Sequence, residues 1–235
     1  MKLKILGCHS ATPLENAHTT SQLLEVKDHL FLIDCGEGTQ IQLRQNKIKF
    51  SRIKHIFISH LHGDHFYGLV GLISTFRLLG RTTDLHIYGP KGIKEVLTLQ
   101  LKLANSWTNY NLFFHELEKK ESELIFEDDS LTVYTIPLDH RIYSNGFLFQ
   151  EKQGLRKLDN EKIKNYDIPY CDLHNLKLGK DLILEDGTTL KNKMFTLDPN
   201  PVKRYAFCSD TAYNESIVPL IKEVDMLYHE STFLD

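Results

Sequence analysis

Residues 57 to 68 read FISHLHGDHFYG, so His60, His62, Asp64 and His65 fall within six residues, directly after an apolar run. Neutral imidazole nitrogens and carboxylate oxygens are good zinc donors. In an extended or tightly turned loop, alternate residues point the same way. His60 and His62 are therefore expected to converge on one ion, while Asp64 and His65 point elsewhere and serve a second. Gly63 lets the backbone turn without a side-chain clash. Two ions need further donors, and two strand-like runs end on them. LTVYTIPLDH closes on His140, and RYAFCSD closes on Asp210, whose carboxylate can bridge both ions. A rigid sheet presents functional residues in this way, at strand ends. His9, His18, His29, His55, His86, His115 and His174 lack any such spacing and read as ordinary surface or core residues.

The elements that must hold these donors can be read along the chain. KLKIL, SQLLEV and HLFLIDCG read as strands, the last two joined by a Lys-Asp turn. GEGTQIQLRQN has helical character, and IKHIFISH is a short β-branched run typical of a buried strand. In FYGLVGLISTFRLLGR, Phe66, Leu69, Val70, Ile73 and Phe76 recur at spacings of three and four. This predicts a helix from Phe66 to Leu79 that is apolar on more than one face, as a core or interface helix would be. DLHIYGP predicts a strand, and PKGIKEVLTLQLKLAN a helix with Pro90 near its first turn. ESELIFED, LTVYTIPLDH and GFLFQEK predict further strands. The next fifty or so residues are polar and irregular, with DNEKIKNYDIP the one small helix. NPVKRYAFCSD (strand), ESIVPLIKEV (helix) and DMLYHES (strand) follow. This order suggests two packed sheets with helices outside.

The chain has 235 residues, 41% hydrophobic and 25% charged, which is ordinary globular composition. No apolar run approaches the roughly 20 residues of a membrane-spanning helix, so no membrane association is expected. The N-terminal apolar run is too short for a signal peptide, and the protein reads as cytoplasmic. Cys8, Cys35, Cys171 and Cys208 are scattered with no CxxC pair, which suits four free, buried or half-buried thiols. The net charge of −3 carries no global nucleic-acid signal, yet residues 151–204 hold eleven Lys and Arg against nine Asp and Glu.

SHLHGDH resembles the defining motif of the metallo-β-lactamase superfamily, whose fold is a four-layer αββα sandwich, an α/β class. DCGEGTQ, HLHGDHFYGLVGLISTFRLLGR, LDHR…GFLF, FCSDT and HEST narrow the resemblance to the tRNase Z family of tRNA 3′-processing endonucleases. Carried over residue by residue, this resemblance makes His60, His62 and His140 ligands of one zinc. Asp64 and His65 then bind a second, with Asp210 bridging. Asp64 is also the implied proton acceptor, and His229 and Glu230 of HEST the implied source of the proton for the leaving group. The resemblance implies one metallo-β-lactamase-like domain over 1–235, with a tRNA-binding arm inserted at about 151–200. In that arm Lys152, Arg156, Lys157, Lys162 and Lys164 are candidate phosphate contacts. It also implies a homodimer in which one subunit's arm serves the other's active site.

Two departures accompany the resemblance. The family's seventh ligand, a histidine well beyond HEST, would fall past Asp235, as would a serine-threonine loop, so the C-terminal part of the domain is expected to be missing from this chain. The arm's usual glycine-proline pair is replaced around Pro169, Tyr170 and Cys171. The expected activity is zinc-dependent removal of the 3′ trailer from precursor tRNA, leaving a 3′-hydroxyl on the tRNA and a 5′-phosphate on the trailer. The alternatives are another di-zinc hydrolase of the same fold, acting on a small ester, thioester or cyclic phosphodiester, and a catalytically incomplete subunit that binds tRNA or pairs with an active partner.

Overall fold

Six strands in chain order build the first sheet: β1 (Lys2–Gly7), β2 (Ser21–Val26), β3 (His29–Ile33), β4 (Ile53–Phe57), β5 (Leu85–Pro90) and β6 (Leu112–Leu117). β1 to β3 are antiparallel, while β3 through β6 run parallel, so the C-terminal ends of β3, β4 and β5 share one edge. The structure, a computed structural model, describes residues 1–12, 14–166, 168–184 and 186–231. Among these, no helix is long and apolar enough to cross a membrane.

The parallel strands are apolar on both faces because both are covered. Leu30, Leu32, Ile56, Ile58, Leu85 and Ile87 pack under helices α1 (Thr39–Gln45), α2 (Gly63–Phe66), α3 (Gly68–Leu78) and α4 (Ile93–Leu103). α3 contributes Leu69, Leu72, Ile73 and Phe76 to that core, and α4 contributes Ile93, Leu97 and Leu101. The opposite face carries Phe31 and Phe57. These meet Phe147 and Phe149 of the second sheet at ring-centroid distances of 5.3 to 5.4 Å. The Tyr205 hydroxyl donates to Gln22 Oε1, a polar tie across the same interior.

The second sheet begins with β7 (Leu124–Glu127), β8 (Leu131–Leu138) and β9 (Ser144–Glu151). The chain then enters a separate compact unit made of residues 128–131 and 151–203. That unit holds β10 (Lys157–Leu158), α5 (Asn160–Asn165), α6 (Tyr170–Lys177), β11 (Leu182–Ile183), β12 (Thr189–Leu190) and β13 (Thr196–Leu197), with β10 paired to β13 and β11 to β12. Leu176, Leu182 and Phe195 form its small core. Buried Asn192 donates from Nδ2 to the Leu176 and Lys180 carbonyls and accepts from Thr196. The chain returns as β14 (Arg204–Cys208), α7 (Val218–Ile221) and β15 (Met226–His229), which complete the sheet β15-β14-β9-β8-β7. Ile217, Leu220 and Ile221 cover the outer face of that sheet over Ile136, Leu148 and Ala206. The larger unit therefore has the expected layers: helix, sheet, sheet, helix.

Several local expectations need correction. Pro90 ends β5 and does not open α4, whose N-cap is Gly92 at φ +99°. The helix expected from Phe66 to Leu79 is α3, parted from α2 ahead of it because the Gly68 N–H donates to Cys35 O instead of to the preceding turn. The strand β6 and the helix α6 carry too little periodicity to be seen in sequence. ESIVPLIKEV gives only a 3-10 turn and one α-turn around Pro219. Cys35 and Cys208 are buried as expected, but Cys8 and Cys171 are exposed; all four are free.

Candidate active site

The parallel ends of β3 and β4 are locked together before any donor appears. The Asp34 N–H donates to Phe57 O at 2.8 Å, and Ile58 N–H to Tyr88 O at 2.8 Å. Past β4 the chain leaves the sheet at Ser59 and His60, both fully buried. It then turns through His62 into α2, which carries Asp64 and His65. Cys35 N–H donates to His65 O at 2.7 Å, and Gly68 N–H to Cys35 O at 2.9 Å, which staples α2 to the loop after β3. This approach explains the glycines: a Cβ on Gly68 would lie 2.1 Å from Gly36 O, and one on Gly36 2.2 Å from Asp64 O. Gly63 does not adopt a left-handed conformation; a Cβ there would overlap the Tyr67 ring. From the second sheet, His140 follows β8 and Asp210 follows β14. Their loops are joined by Ala212 N–H donating to Asp139 O at 2.6 Å and Asp139 N–H to Thr211 Oγ1 at 3.0 Å.

These loops bring His60, His62, His140 and Asp210 to one point, with one donor atom from each lying within 4.8 Å of the others. His62 Nδ1 is 3.0 Å from His60 Nε2 and 3.2 Å from His140 Nε2. Asp210 Oδ2 is 3.7 Å from His60 Nε2 and 3.9 Å from His140 Nε2. A tetrahedral zinc with bonds of about 2.0–2.1 Å separates its ligands by roughly 3.3 Å. The donor set fits such an ion. Asp210 faces a second group with its other oxygen: Oδ1 is 3.4 Å from His65 Nε2, which is also 3.4 Å from Asp64 Oδ2. The Ala11 N–H donates to that Asp64 oxygen at 2.9 Å. The six expected ligands thus meet at Asp210, with His60, His62 and His140 forming one tight set with it and Asp64 and His65 beside it.

The charges follow from this crowding. Burial, reinforced by His65, pulls His60 down to about 3, so its lone pair is available at neutral pH. Burial and then the Arg141 guanidinium lower His62. Burial opposes charge on His65, but Asp34, Asp210 and Asp64 together push it up to about 12. Burial likewise works against Asp210, yet the neighbouring His65 holds its carboxyl well below the usual range. His65 Nε2, aimed between two carboxylates, calls for positive charge there, which a proton or a cation supplies.

Asp34 escaped the sequence reading, although it closes the HLFLI strand within the quoted DCGEGTQ. It is fully buried and sits at φ +56°, which aspartate tolerates better than most residues. Its Oδ1 accepts from the Ser59 N–H at 2.7 Å, and its Oδ2 from the Ser59 hydroxyl at 2.8 Å and from His65 Nδ1 at 2.7 Å. Burial pushes Asp34 upward, while His65 and both Ser59 donors favour its charged form. With three donors on two oxygens, it is the acceptor of the pair. It fixes the His65 proton on Nδ1 and leaves Nε2 for a cation, the usual partner arrangement of a ligating histidine.

An open cavity of about 1050 Å³ covers the group, lined by His62, Asp64, Tyr67, His140, Arg141, Asp210, His229 and Glu230 among others. Both residues expected from HEST therefore reach it; Thr232 of that motif lies outside the described residues. His229 Nδ1 donates to Glu230 O at 2.6 Å. Burial, then the Asp210 carboxylate, pushes Glu230 up to about 7. The five basic residues expected to contact RNA belong to the smaller unit. There Arg156 pairs with Asp198 and donates to Thr196 Oγ1 at 2.7 Å, and Lys157 donates to Asn200. Lys162 sits 3.4 Å from Asp159, the N-cap of α5, and Lys164 is exposed on the same helix. Lys152 is half-buried at the start of that unit.

Comparison with known proteins agrees with this architecture. A family described as "Anti-Pycsar protein Apyc1" matches residues 1–162. The ribonuclease Z of Bacteroides thetaiotaomicron is 49% identical over 232 residues, covering 99% of this chain and 73% of that protein. The crystal structure of human tRNase Z, short form, superposes with a TM-score of 0.71 at 28% identity, covering 99% of this chain and 78% of that one. The metallo-β-lactamase fold protein YhfI of Bacillus subtilis shares the fold, with a TM-score of 0.60 at 16% identity over 96% of this chain and 69% of that one. Residues 1–162 fall within the Apyc1 family, and the chain as a whole belongs to the ribonuclease Z family of hydrolytic endoribonucleases, on a metallo-β-lactamase fold.

Proposed function

We propose that this protein is a zinc-dependent endoribonuclease that removes the 3′ trailer from precursor tRNA. The observation that supports it most is the position of Asp210, with one oxygen toward His60 and His140 and the other toward His65. In this reading His60, His62, His140 and Asp210 hold one zinc, and Asp64, His65 and Asp210 hold a second. Bound there, the pair supplies Lewis acidity, which eases deprotonation of water near neutral pH and offsets charge on the phosphoryl oxygens. Asp64 orients the attacking water and takes its proton. Glu230 and His229, on the wall of the same cavity, return a proton to the departing 3′-oxygen of the tRNA. No side chain acts as nucleophile. The products are a tRNA with a 3′-hydroxyl and a trailer with a 5′-phosphate.

The smaller unit serves, in this proposal, as an arm inserted into one metallo-β-lactamase-like domain. Shape and backbone contacts are how folded RNA is usually gripped. Lys164 is the better candidate for phosphate contact, since Arg156, Lys157 and Lys162 each face a partner within the unit. The protein acts in the cytoplasm as a homodimer. Tyr67, Leu78 and Leu79 beside α3 and Leu99 and Leu103 of α4 are exposed and offer an apolar surface for a second copy. The ribonuclease Z likeness spans the arm and HEST, whereas the Apyc1 match stops at residue 162. This favours RNA over a small substrate.

The test is cleavage of a 3′-extended tRNA by zinc-loaded protein, beside hydrolysis of bis(p-nitrophenyl) phosphate. Trailer release with the stated ends is expected. Hydrolysis of the small diester without any tRNA cleavage would instead indicate a different di-zinc hydrolase. Absence of both activities, with no bound zinc, would indicate a non-catalytic partner subunit.

A further inference from the structure

A second cavity, of about 470 Å³, adjoins the active-site cavity, and His140 and Arg141 line both. The two differ in charge. The catalytic cavity carries the carboxylates of Glu37, Asp64, Asp210 and Glu230, with Arg141 its one Lys or Arg. The adjoining one is lined by Lys119, Lys120 and Arg141 against Asp139, and the Lys119 ammonium pairs with Glu123 at 2.6 Å. Its floor is rigid. Asn145 N–H donates to Ser59 O at 3.0 Å, next to the ligand loop. Asn145 Nδ2 donates to the Tyr143 hydroxyl at 2.8 Å, and that hydroxyl donates to Lys119 O at 2.9 Å. Because the hydroxyl proton is committed to Lys119, the Asn145 group beside it must be the amide nitrogen. Asn145 Oδ1 is then left buried with no hydrogen-bond partner, in a residue 1% exposed.

We propose that this cavity is a nucleotide subsite for the RNA residue adjoining the scissile phosphate. Lys120, Arg141 and, on exchanging its Glu123 partner, Lys119 hold its phosphates. The inference rests on the ribonuclease reading and deepens it. The cations stand where an RNA backbone leaving a carboxylate-rich, metal-binding centre needs them. The cavity is large enough for one ordered nucleotide and is reached directly past His140. The residue held belongs either to the trailer or to the tRNA end; the chemistry of the subsite is the same for both.

The test uses the double variant Lys119→Ala/Lys120→Ala in zinc-loaded protein. Its substrates are a tRNA with a six-nucleotide trailer, the same tRNA with a single-nucleotide trailer, and bis(p-nitrophenyl) phosphate. Loss of two phosphate contacts should raise KM for RNA roughly tenfold and flatten the salt dependence of log KM by about 1.4. Small-diester hydrolysis, zinc content and thermal midpoint should stay at wild-type values. An equal penalty on both trailers is expected, since both carry the residues that flank the scissile phosphate; a penalty confined to the long trailer would overturn the placement beside that phosphate. Unchanged KM and salt slope in a variant whose wild-type parent cleaves tRNA would overturn the subsite alone. A wild-type protein that hydrolyses the small diester but no tRNA would take down the reading beneath it.

Discussion

Replacing Asp34 by Asn probes the site through a residue that touches no substrate. Asparagine also tolerates the φ of +56° at this position, so the backbone can stay. The amide has only one acceptor oxygen for the three donors Asp34 now receives. The Ser59 backbone N–H cannot rotate and keeps that oxygen. The Ser59 hydroxyl can turn and accept instead. His65 Nδ1 must then accept from the new NH2 group, which moves the ring proton to Nε2, the nitrogen aimed at Asp64 and Asp210. One charge-assisted hydrogen bond is worth about 1.5–3 kcal/mol, or roughly 10- to 100-fold in metal affinity, the range found for partners of ligating histidines. Zinc competition against a chelator of known affinity reads the effect, and a thermal melt in excess chelator shows whether the fold survives. Asp34→Ala should instead unfold more easily by about 3–5 kcal/mol, because it strands buried donors. Wild-type zinc affinity in a folded Asp34→Asn protein would refute the reasoning.

Asp64→Ala should abolish cleavage of both tRNA and small diester while circular dichroism and melting temperature persist; retention of most activity would remove Asp64 from its assigned role. Replacing residues 151–203 with a short linker should depress tRNA cleavage by at least about tenfold and spare the small diester, and equal losses would deny that unit its RNA-binding task. His55 gives a pH prediction: burial, reinforced by His86, His29 and His115, pulls it down to about 3 from 6.5. The unfolded chain then binds a proton that the folded one refuses, so stability is complete above pH 6.5 and falls as the pH drops toward 3. Between pH 6.5 and 5 the loss from this one group is at most about 2 kcal/mol. In His55→Phe, denaturant titrations at both pH values, in chelator, should show a shallower decline than wild type; parallel declines would contradict this account of His55.

The grouping of the candidate donors was more legible in the sequence than the scaffold. HLHGDH, His140 and Asp210 stand out because donors follow apolar strands, and the fold places the other five around the Asp210 carboxylate. The strands β3, β4 and β5 were equally plain, since burial on both faces demands continuous apolar residues. β6 was hidden because Phe113 and His115 are exposed at a sheet edge, which blurs any alternation. α6 was hidden because it buries only Leu176. Asp34 was passed over for a different reason: its partners, Ser59 and His65, lie 25 and 31 residues away, and only the parallel pairing of β3 with β4 brings them close. His29, His55, His86 and His115 form a row across β3 to β6, with His29 edge-on to His55 at 6.2 Å, His55 and His86 stacked at 5.0 Å and His86 and His115 at 5.4 Å. Spacing in the sequence gives no hint of that neighbourhood.

The claim beneath all of this is that Asp210 sits between two cations. Anomalous diffraction at the zinc edge, from crystals grown with excess zinc, tests it most directly. Two peaks about 3.5–4 Å apart are predicted, one among His60, His62 and His140, the other against Asp64 and His65, with Asp210 touching both. Peaks elsewhere, or an Asp210 carboxylate turned away from both groups, would contradict the account.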